Sequence, residues 1–335
     1  MAPLNRPGAS ALRHLLRHAW RFEADSDMEA RIEHGLAVIE RDDVRVILPA
    51  DPAYPPGFHR LHDPPPVVFA RGDVTLLERP IAGIVGTRRC TRDAREFTHE
   101  LAHGVGMAGG VVASGLALGI DGAAHAAALP NTVAVLGTGI DVYQPPSHRA
   151  LQDRIAADGL LLTEFPPGAE ALPFHFPQRN RLIAALSKVV LVVEAPERSG
   201  ALITAEHATD LDLQILAVPG LVRRAASAGS NRLIQDGAAV VLEPRDLLDA
   251  LGLTPRRPKR DPGAQPEPDA PADTAEPSGL GQDALALWRA AAEPGHIDDL
   301  AARARLEPAR SLSALLELEV LGLVERRPGQ KYRRV

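Results

Sequence analysis

Between residues 81 and 244 the chain repeats one pattern seven times: a short, uninterrupted apolar run, then a more polar stretch. The runs are IAGIVG (81–86), GVVAS (110–114), TVAVLG (132–137), GLLLTE (159–164), KVVLVVE (188–194), QILAVPG (214–220) and AAVVLE (238–243). They are continuous, not alternating. An alternating strand has one wet face, whereas a strand apolar at every position is covered on both. Segments of helical spacing separate most of the runs, which predicts repeated βα units building an open, mostly parallel sheet with helices on both faces. The fold class expected is therefore α/β, doubly wound.

Composition changes sharply on either side of this body. Residues 254–280, TPRRPKRDPGAQPEPDAPADTAEPSGL, hold seven prolines and almost no large apolar side chains. Such a stretch cannot bury enough surface to offset its ordering entropy, so a disordered, proline-rich linker is expected there. Residues 1–75 carry amphipathic patterns (ALRHLLRHAW, MEARIEHGLAVIE) and a proline-rich approach, YPPGFHRLHDPPPVVFARGD. They read as a helical N-terminal extension and approach segment, with the sheet domain over 76–253. Residues 281–335 show three helical patterns and then VERRPGQKYRRV, whose Arg-Pro-Gly turn joins two short strands. That order predicts a winged helix. The last ten residues hold five arginines or lysines and no acid. The recognition-helix segment, PARSLSALLELEVLGL, offers only Arg310, Ser311 and Ser313 before turning apolar and acidic, which is poor equipment for reading bases in a major groove.

The net charge of −6 argues against a broad nucleic-acid footprint, so any anion site must be a local patch. Only three lysines occur, so arginine, with its planar fork, carries nearly all the positive charge. The single cysteine, Cys90, excludes an internal disulfide framework and fits a reducing cytosol. No stretch approaches the ~18 consecutive apolar residues of a membrane span, and the charged N-terminus does not read as a secretory signal.

Ligands of such sheets bind beyond the carboxyl ends of the strands. Those ends read GTRR (86–89), SGLALGID (114–121), GTGID (137–141), EF (164–165), EAPERSGALIT (194–204) and PG (219–220). Glycine or a small hydroxyl recurs at nearly every tip, where it lets backbone N–H groups converge on an anion. A following helix adds its N-terminal donors and dipole. FHFPQRNRLIAAL (174–186) places Arg179, Asn180 and Arg181 at the expected opening of a helix, with Asn180 as its cap. Two cations at a helix N-terminus are unfavourable without an anion; the alternative is solvated arginines or an ion pair with Glu164 or Glu194. Phe174 and Phe176 immediately upstream favour the anion, because aromatic faces beside guanidinium groups suit the stacking of single-stranded nucleic acid.

Other chemistry is weaker. HELAH (99–103) matches a zinc-protease pattern, but on a helix Phe97, Leu101, Val105 and Ala108 share the sheet-facing side, so His99 and His103 point to solvent. No third ligand is evident, and no metal site is expected. Cys90 follows two arginines without a placeable histidine and reads as an ordinary cysteine. Asp121 reads as a capping and packing residue, with His125 lining the pocket.

Seven blocks together, IVGTRRCT, ASGLALGIDGAAHAAAL, VAVLGTGIDVYQP, LLTEFPPG, FPQRNRLIAALSKVVLVVEA, ERSGALITAEHA and GSNRLIQDGA, resemble the DNA-processing protein A (DprA/Smf) family across roughly residues 45–250. The resemblance implies an extended Rossmann-like domain and a cytoplasmic homodimer. It implies that the protein binds single-stranded DNA and loads the RecA recombinase onto it in natural transformation, with no catalytic turnover, no catalytic residue and no cofactor. By the same resemblance Gly86, Thr87, Arg88 and Arg89 after the first strand, with Arg179, Asn180 and Arg181, line the DNA pocket. Ser114, Gly115, Ser199, Gly200 and Thr204 supply backbone and hydroxyl donors to phosphates, and Phe174 or Phe176 stacks a base.

Two alternatives stay open. A phosphoribohydrolase of the lysine-decarboxylase-like group has a related sheet and a PGGxGTxxE signature; here the region reads ERSGALITAEH, with Glu206 near the catalytic position but without the double glycine. A winged-helix regulator with a Rossmann-type sensor predicts preference for duplex DNA.

Overall fold

The computed structural model describes residues 8–19, 27–253, 280–292, 295–327 and 331–334. It divides into two units, Met1–Arg256 and Arg257–Val335. In the first, helices α1 (Ala9–Ala19) and α2 (Met28–Arg41) lead into two short strands, β1 (Arg45–Ile47) and β2 (Val68–Gly72). The seven apolar runs then form β3 (Ile81–Val85), β4 (Val111–Ser114), β5 (Thr132–Val135), β6 (Leu160–Thr163), β7 (Val189–Val192), β8 (Gln214–Ala217) and β9 (Ala239–Val240). Between them run α3 (Arg92–Met107), α4 (Ile120–Ala128), α5 (Arg149–Asp158), α6 (His175–Leu186), α7 (Gly200–Asp210) and α8 (Ala228–Gln235), and α9 (Pro244–Leu251) follows.

The strand order is β1-β2-β6-β5-β4-β3-β7-β8-β9. From β6 to β9 every pairing is parallel, and β3 lies between β4 and β7. The chain therefore winds outward from β3 to β6, returns to place β7 on the other side of β3, and winds outward again. The sheet is buried as the runs require, with β3 through β7 buried at every residue. One face packs Val85, Val111, Val133 and Val190 against α6 and α7 residues such as Leu182, Ile183 and Ala205. The other packs Ile84, Val112 and Leu191 against Leu101 and Val105 of α3 and Leu247 of α9. The mostly parallel, doubly wound α/β expectation holds.

The sheet also begins earlier than the boundary at residue 76 suggested. β2 pairs antiparallel with β6, Phe69 opposite Thr163, and β1 pairs antiparallel with β2. The segment before residue 76 is thus not only helical. Leu16, Ile32 and Val38 of α1 and α2 pack on Phe69, Leu136 and Leu161, and His34 meets Asp141 at 2.8 Å.

The second unit is a winged helix with its own core. Helices α10 (Gln282–Ala290), α11 (Ile297–Ala304) and α12 (Pro308–Val320) pack with β10 (Gly295–His296), β11 (Val324–Arg327) and β12 (Lys331–Arg334). The strands form one sheet in the order β10-β12-β11. Leu287, Trp288, Leu300, Leu315, Leu318 and Tyr332 fill its interior. The short strand β10 completes a sheet that the sequence pattern predicted as a hairpin alone. The linker expected at 254–280 lies, apart from its last residue, outside the described residues.

Candidate functional site

Strand order reverses between β3 and β7, and a cleft opens where their carboxyl ends diverge, as the rule for open α/β sheets requires. Its volume is about 600 Å³. Val85 at the end of β3 and Gly86 to Arg89 after it, Pro196 and Arg198 to Ala201 after β7 with Ile203 and Thr204, residues of α6 from Phe176 to Ile183, and Ala117 and Asp121 after β4 contribute its walls.

The loop after β3 is held from both sides. Thr87 donates its N–H to the Glu194 carbonyl at 2.7 Å and accepts from the Ile120 N–H at 3.3 Å. A Cβ on Gly86 would lie 2.5 Å from Ile120 Cγ1 and 3.0 Å from the Glu194 carbonyl oxygen, so only glycine lets the backbone pass. The loop so fixed leaves Arg88 and Arg89 exposed at the cleft. The Arg88 guanidinium lies 5.6 Å from the centre of the Phe176 ring, within cation–π reach.

Of the helix N-termini near this edge, those of α3 and α7 differ in what meets them. At α3, Glu194 accepts from the Thr91 N–H at 2.7 Å and from its hydroxyl at 3.2 Å, so a carboxylate already meets the positive end. At α7, Ser199 caps through its hydroxyl, which accepts from the Ala201 N–H at 3.3 Å, and the first turn carries no acid. Ser199, Gly200, Ala201 and Thr204 all line the cleft. The orphan donors and dipole of α7 are thus open to an anion.

The cleft floor is built on Gly115. Its N–H donates to Asp121 Oδ2 at 3.1 Å, and the Ala117 N–H donates to the same oxygen at 3.4 Å. The Arg179 guanidinium lies over its α-carbon, where an added Cβ would stand 2.4 Å from Nη2. Arg179 also donates to the Val135 carbonyl, and its Nε is buried without a partner. Burial, opposed by Asp121, pulls Arg179 down to about 10, and burial raises Asp121 above the usual carboxylate range. Arg88, Arg89, Arg179 and Arg198 line the cleft, against Asp121 as its one lining carboxylate. The arrangement is electropositive, has an aromatic face, and suits a phosphate-bearing ligand.

Of the sequence-predicted residues, Gly86, Thr87, Arg88, Arg89, Phe176, Arg179, Asn180, Ser199, Gly200 and Thr204 come together on this cleft. Four do not line it. Ser114 is buried and donates to the Ile84 carbonyl at 2.6 Å, and Gly115 serves as the seat of Arg179. Phe174 stands at the start of α6, 62% exposed and outside the lining. Arg181 turns to the opposite side of α6 and pairs with Glu164 at 2.5 Å, both side chains largely buried. Burial, opposed by Arg181, pushes Glu164 up to about 7.

The helix register explains this. α6 begins at His175, not near Asn180, because Pro177 falls in the first turn, where a missing N–H costs nothing. Residues 179–181 thus lie one turn inside the helix, and the dipole argument does not apply to them. Asn180 is no cap; its Nδ2 donates to the Gly200 carbonyl at 3.0 Å and ties α6 to the start of α7. His125 is wholly buried against Thr132 at 2.7 Å and does not line the cleft. His99 and His103 are exposed, their rings stacked at 6.3 Å. Among the described residues no group of histidine, cysteine and acidic side chains could hold a metal, and no helix is long and apolar enough to cross a membrane. Glu206 is exposed and outside the lining. Arg198 was missed; its only signal is a cation directly before the Ser199 cap.

Residues 45–252 match the family described as DNA recombination-mediator protein A, and residues 265–330 match the DprA winged helix domain. Protein Smf of Synechocystis sp. is 36% identical over 321 residues, covering 86% of this chain and 79% of that protein. The X-ray structure of DNA processing protein A from Streptococcus pneumoniae superposes with a TM-score of 0.60 at 34% identity, covering 73% of this chain and 94% of that one. DNA processing protein A from Helicobacter pylori, whose structure concerns a single-stranded DNA binding mode, gives 0.57 at 31% identity, covering 62% and 95%.

Proposed function

The chain belongs to the DNA recombination-mediator protein A family, and on that premise we propose that its switch-point cleft binds single-stranded DNA and that the bound strand is passed to the RecA recombinase during natural transformation. The observation that carries this reading is the convergence of Arg88, Arg89, Arg179 and Arg198 on the carboxylate-free N-terminus of α7, with the Phe176 ring beside Arg88. Guanidinium forks and α7 donors hold phosphates, the Gly115–Asp121–Arg179 floor keeps the cleft in shape, and Phe176 offers a stacking face. No contact of this kind reads a base pair, so binding is largely independent of sequence and weakens steeply with salt. The work is binding and delivery in the cytoplasm, without turnover or cofactor.

Homodimerisation belongs to the same proposal. Leu221 and Val222 in the loop after β8, and Leu242 just past the edge strand β9, are 67%, 90% and 70% exposed and supply the apolar surface that a self-contact would cover. The deciding experiment is anisotropy of a labelled oligothymidine titrated with the protein against salt, with duplex competitor, and then with RecA added. Preference for the single strand and faster RecA filament growth support the reading; equal affinity for duplex, or no effect on RecA, removes it. A phosphoribohydrolase would release adenine from AMP, and with Glu206 outside the cleft none is expected.

A further inference from the structure

Helix α12 has two apolar stripes, and its own domain uses only one. Ser311, Ala314, Leu315 and Leu318 are buried. At ~100° per residue, Ala309, Leu312, Ser313 and Leu316 fall on the diametrically opposite side. Leu312 and Leu316 are 61% and 63% exposed there. In a DNA-reading winged helix this outer face would enter the groove. Here it is aliphatic, it carries an exposed acid, Glu317, and Arg310 gives Nε and Nη2 to Asp283 of α10 at 2.8 and 2.6 Å. A leucine stripe next to a carboxylate repels phosphate and invites another helix.

We propose that this stripe docks against the same stripe of a second copy of the chain, the two α12 helices running antiparallel about a twofold axis near Ser313. The charge pattern selects that occupant. Arg310 and Glu317 lie on one flank of the stripe, three residues before Ser313 and four after it. In an antiparallel pair, like flanks face each other, so each Arg310 meets the other copy's Glu317 and the contact is reciprocal, as an isologous interface requires. A parallel pair would bring no such match. The helix dipoles also oppose favourably only in the antiparallel arrangement. Ser313, small and exposed at the centre, permits close approach. The contact is small, so it forms transiently between free copies and adds to whatever else holds two copies together. It does not depend on the cleft's binding DNA.

The test uses the full chain with Cys90→Ser and Ser313→Cys, mildly oxidised without DNA and read on a non-reducing gel. A disulfide-linked dimer is expected. Glu317→Arg, which leaves the Asp283 contact untouched, should cut its yield about tenfold, and Glu317→Gln should cut it less. A melt by circular dichroism confirms that each variant is folded. No covalent dimer from folded protein, or a yield indifferent to charge reversal, overturns the proposal. So does duplex DNA binding that Leu312→Glu abolishes, since the face would then belong to a groove.

Discussion

Arg179 and Arg181 stand two residues apart on α6, about 200° around its axis, and so meet different surroundings. Arg179 is buried at the cleft over Gly115, and Arg181 is paired with Glu164 beyond it. Substitutions at exposed Arg88 and at Arg181 should therefore separate binding from stability, whereas Arg179→Ala touches both, because it leaves buried Asp121 without its cation. Arg88→Ala or Arg179→Ala is expected to lower single-strand affinity about tenfold or more, the worth of one charge-assisted phosphate contact. The salt slope should flatten by about 0.7, as read by anisotropy at several salt concentrations. Gly115→Ala should do the same indirectly, since its methyl group would occupy the space of the Arg179 guanidinium. Arg181→Met is expected to leave affinity per folded molecule unchanged and to cost about 3–5 kcal/mol in denaturant melts, because it strands a buried carboxylate. That cost should be smaller at pH 6 than at pH 8. Glu164, already pushed up to about 7, rises further without its partner and takes a proton in the folded chain that the unfolded chain has released. His125 works with the opposite sign. Burial holds it down to about 3, so on acidification the unfolded chain gains a proton that the folded chain refuses. Its contribution is complete above about pH 6.5 and is lost as the pH falls toward 3. His125→Gln, keeping a polar partner for Thr132, should flatten that acid limb of the melting curve.

At the scale of elements, α7 makes the sharpest claim, because its first turn carries no acid and its Ser199 cap, Gly200 and Ala201 all line the cleft. Gly200 opens the helix with nothing within 4 Å of where a Cβ would stand, so Gly200→Asp fits without clash. An acid in the first turn stabilises a helix by about 0.3–1 kcal/mol, yet here it would repel phosphate. The expected outcome is a variant that melts slightly higher and binds single strands markedly more weakly; unchanged binding would detach α7 from the site. The elements that shape the cleft were legible to different degrees, for physical reasons. β3 and β7 announce themselves because a strand covered on both faces has no polar residue to interrupt it, and their tips stand out as glycine and hydroxyl against that background. β1 and β2 do not, since RVI is three residues long, VFARG turns polar halfway, and their pairing with β6 is a non-local, antiparallel contact. The start of α6 was misplaced because a proline reads equally well as a helix breaker or a first-turn residue, and only the fold decides. With the start shifted by a turn, nothing in QRNR could tell which arginine faced the cleft and which faced Glu164.

For the whole molecule, the consequence lies in what two cleft-bearing bodies do to one long strand. A single cleft of about 600 Å³ grips a short piece of polynucleotide, so the affinity of a monomer should rise little as the strand lengthens beyond it. Joined through the apolar edge beside β9, two clefts would share a strand, and the second grip becomes intramolecular, with an effective concentration set by the spacer between the sites. Wild-type protein should then bind a long oligothymidine far more tightly than one just filling a cleft. Val222→Glu with Leu242→Glu places charge at two of the most exposed apolar positions of that edge. Since neither side chain is buried, the fold should tolerate both changes. The variant is expected to sediment as a monomer, to bind the short oligomer with wild-type affinity, and to lose most of the gain on the long one. If affinity for the short oligomer falls as well, the edge is coupled to the cleft and the two clefts do not act as independent grips. If the gain on long strands survives in a proven monomer, the length dependence comes from further contacts within one chain, and the edge plays no part in holding DNA.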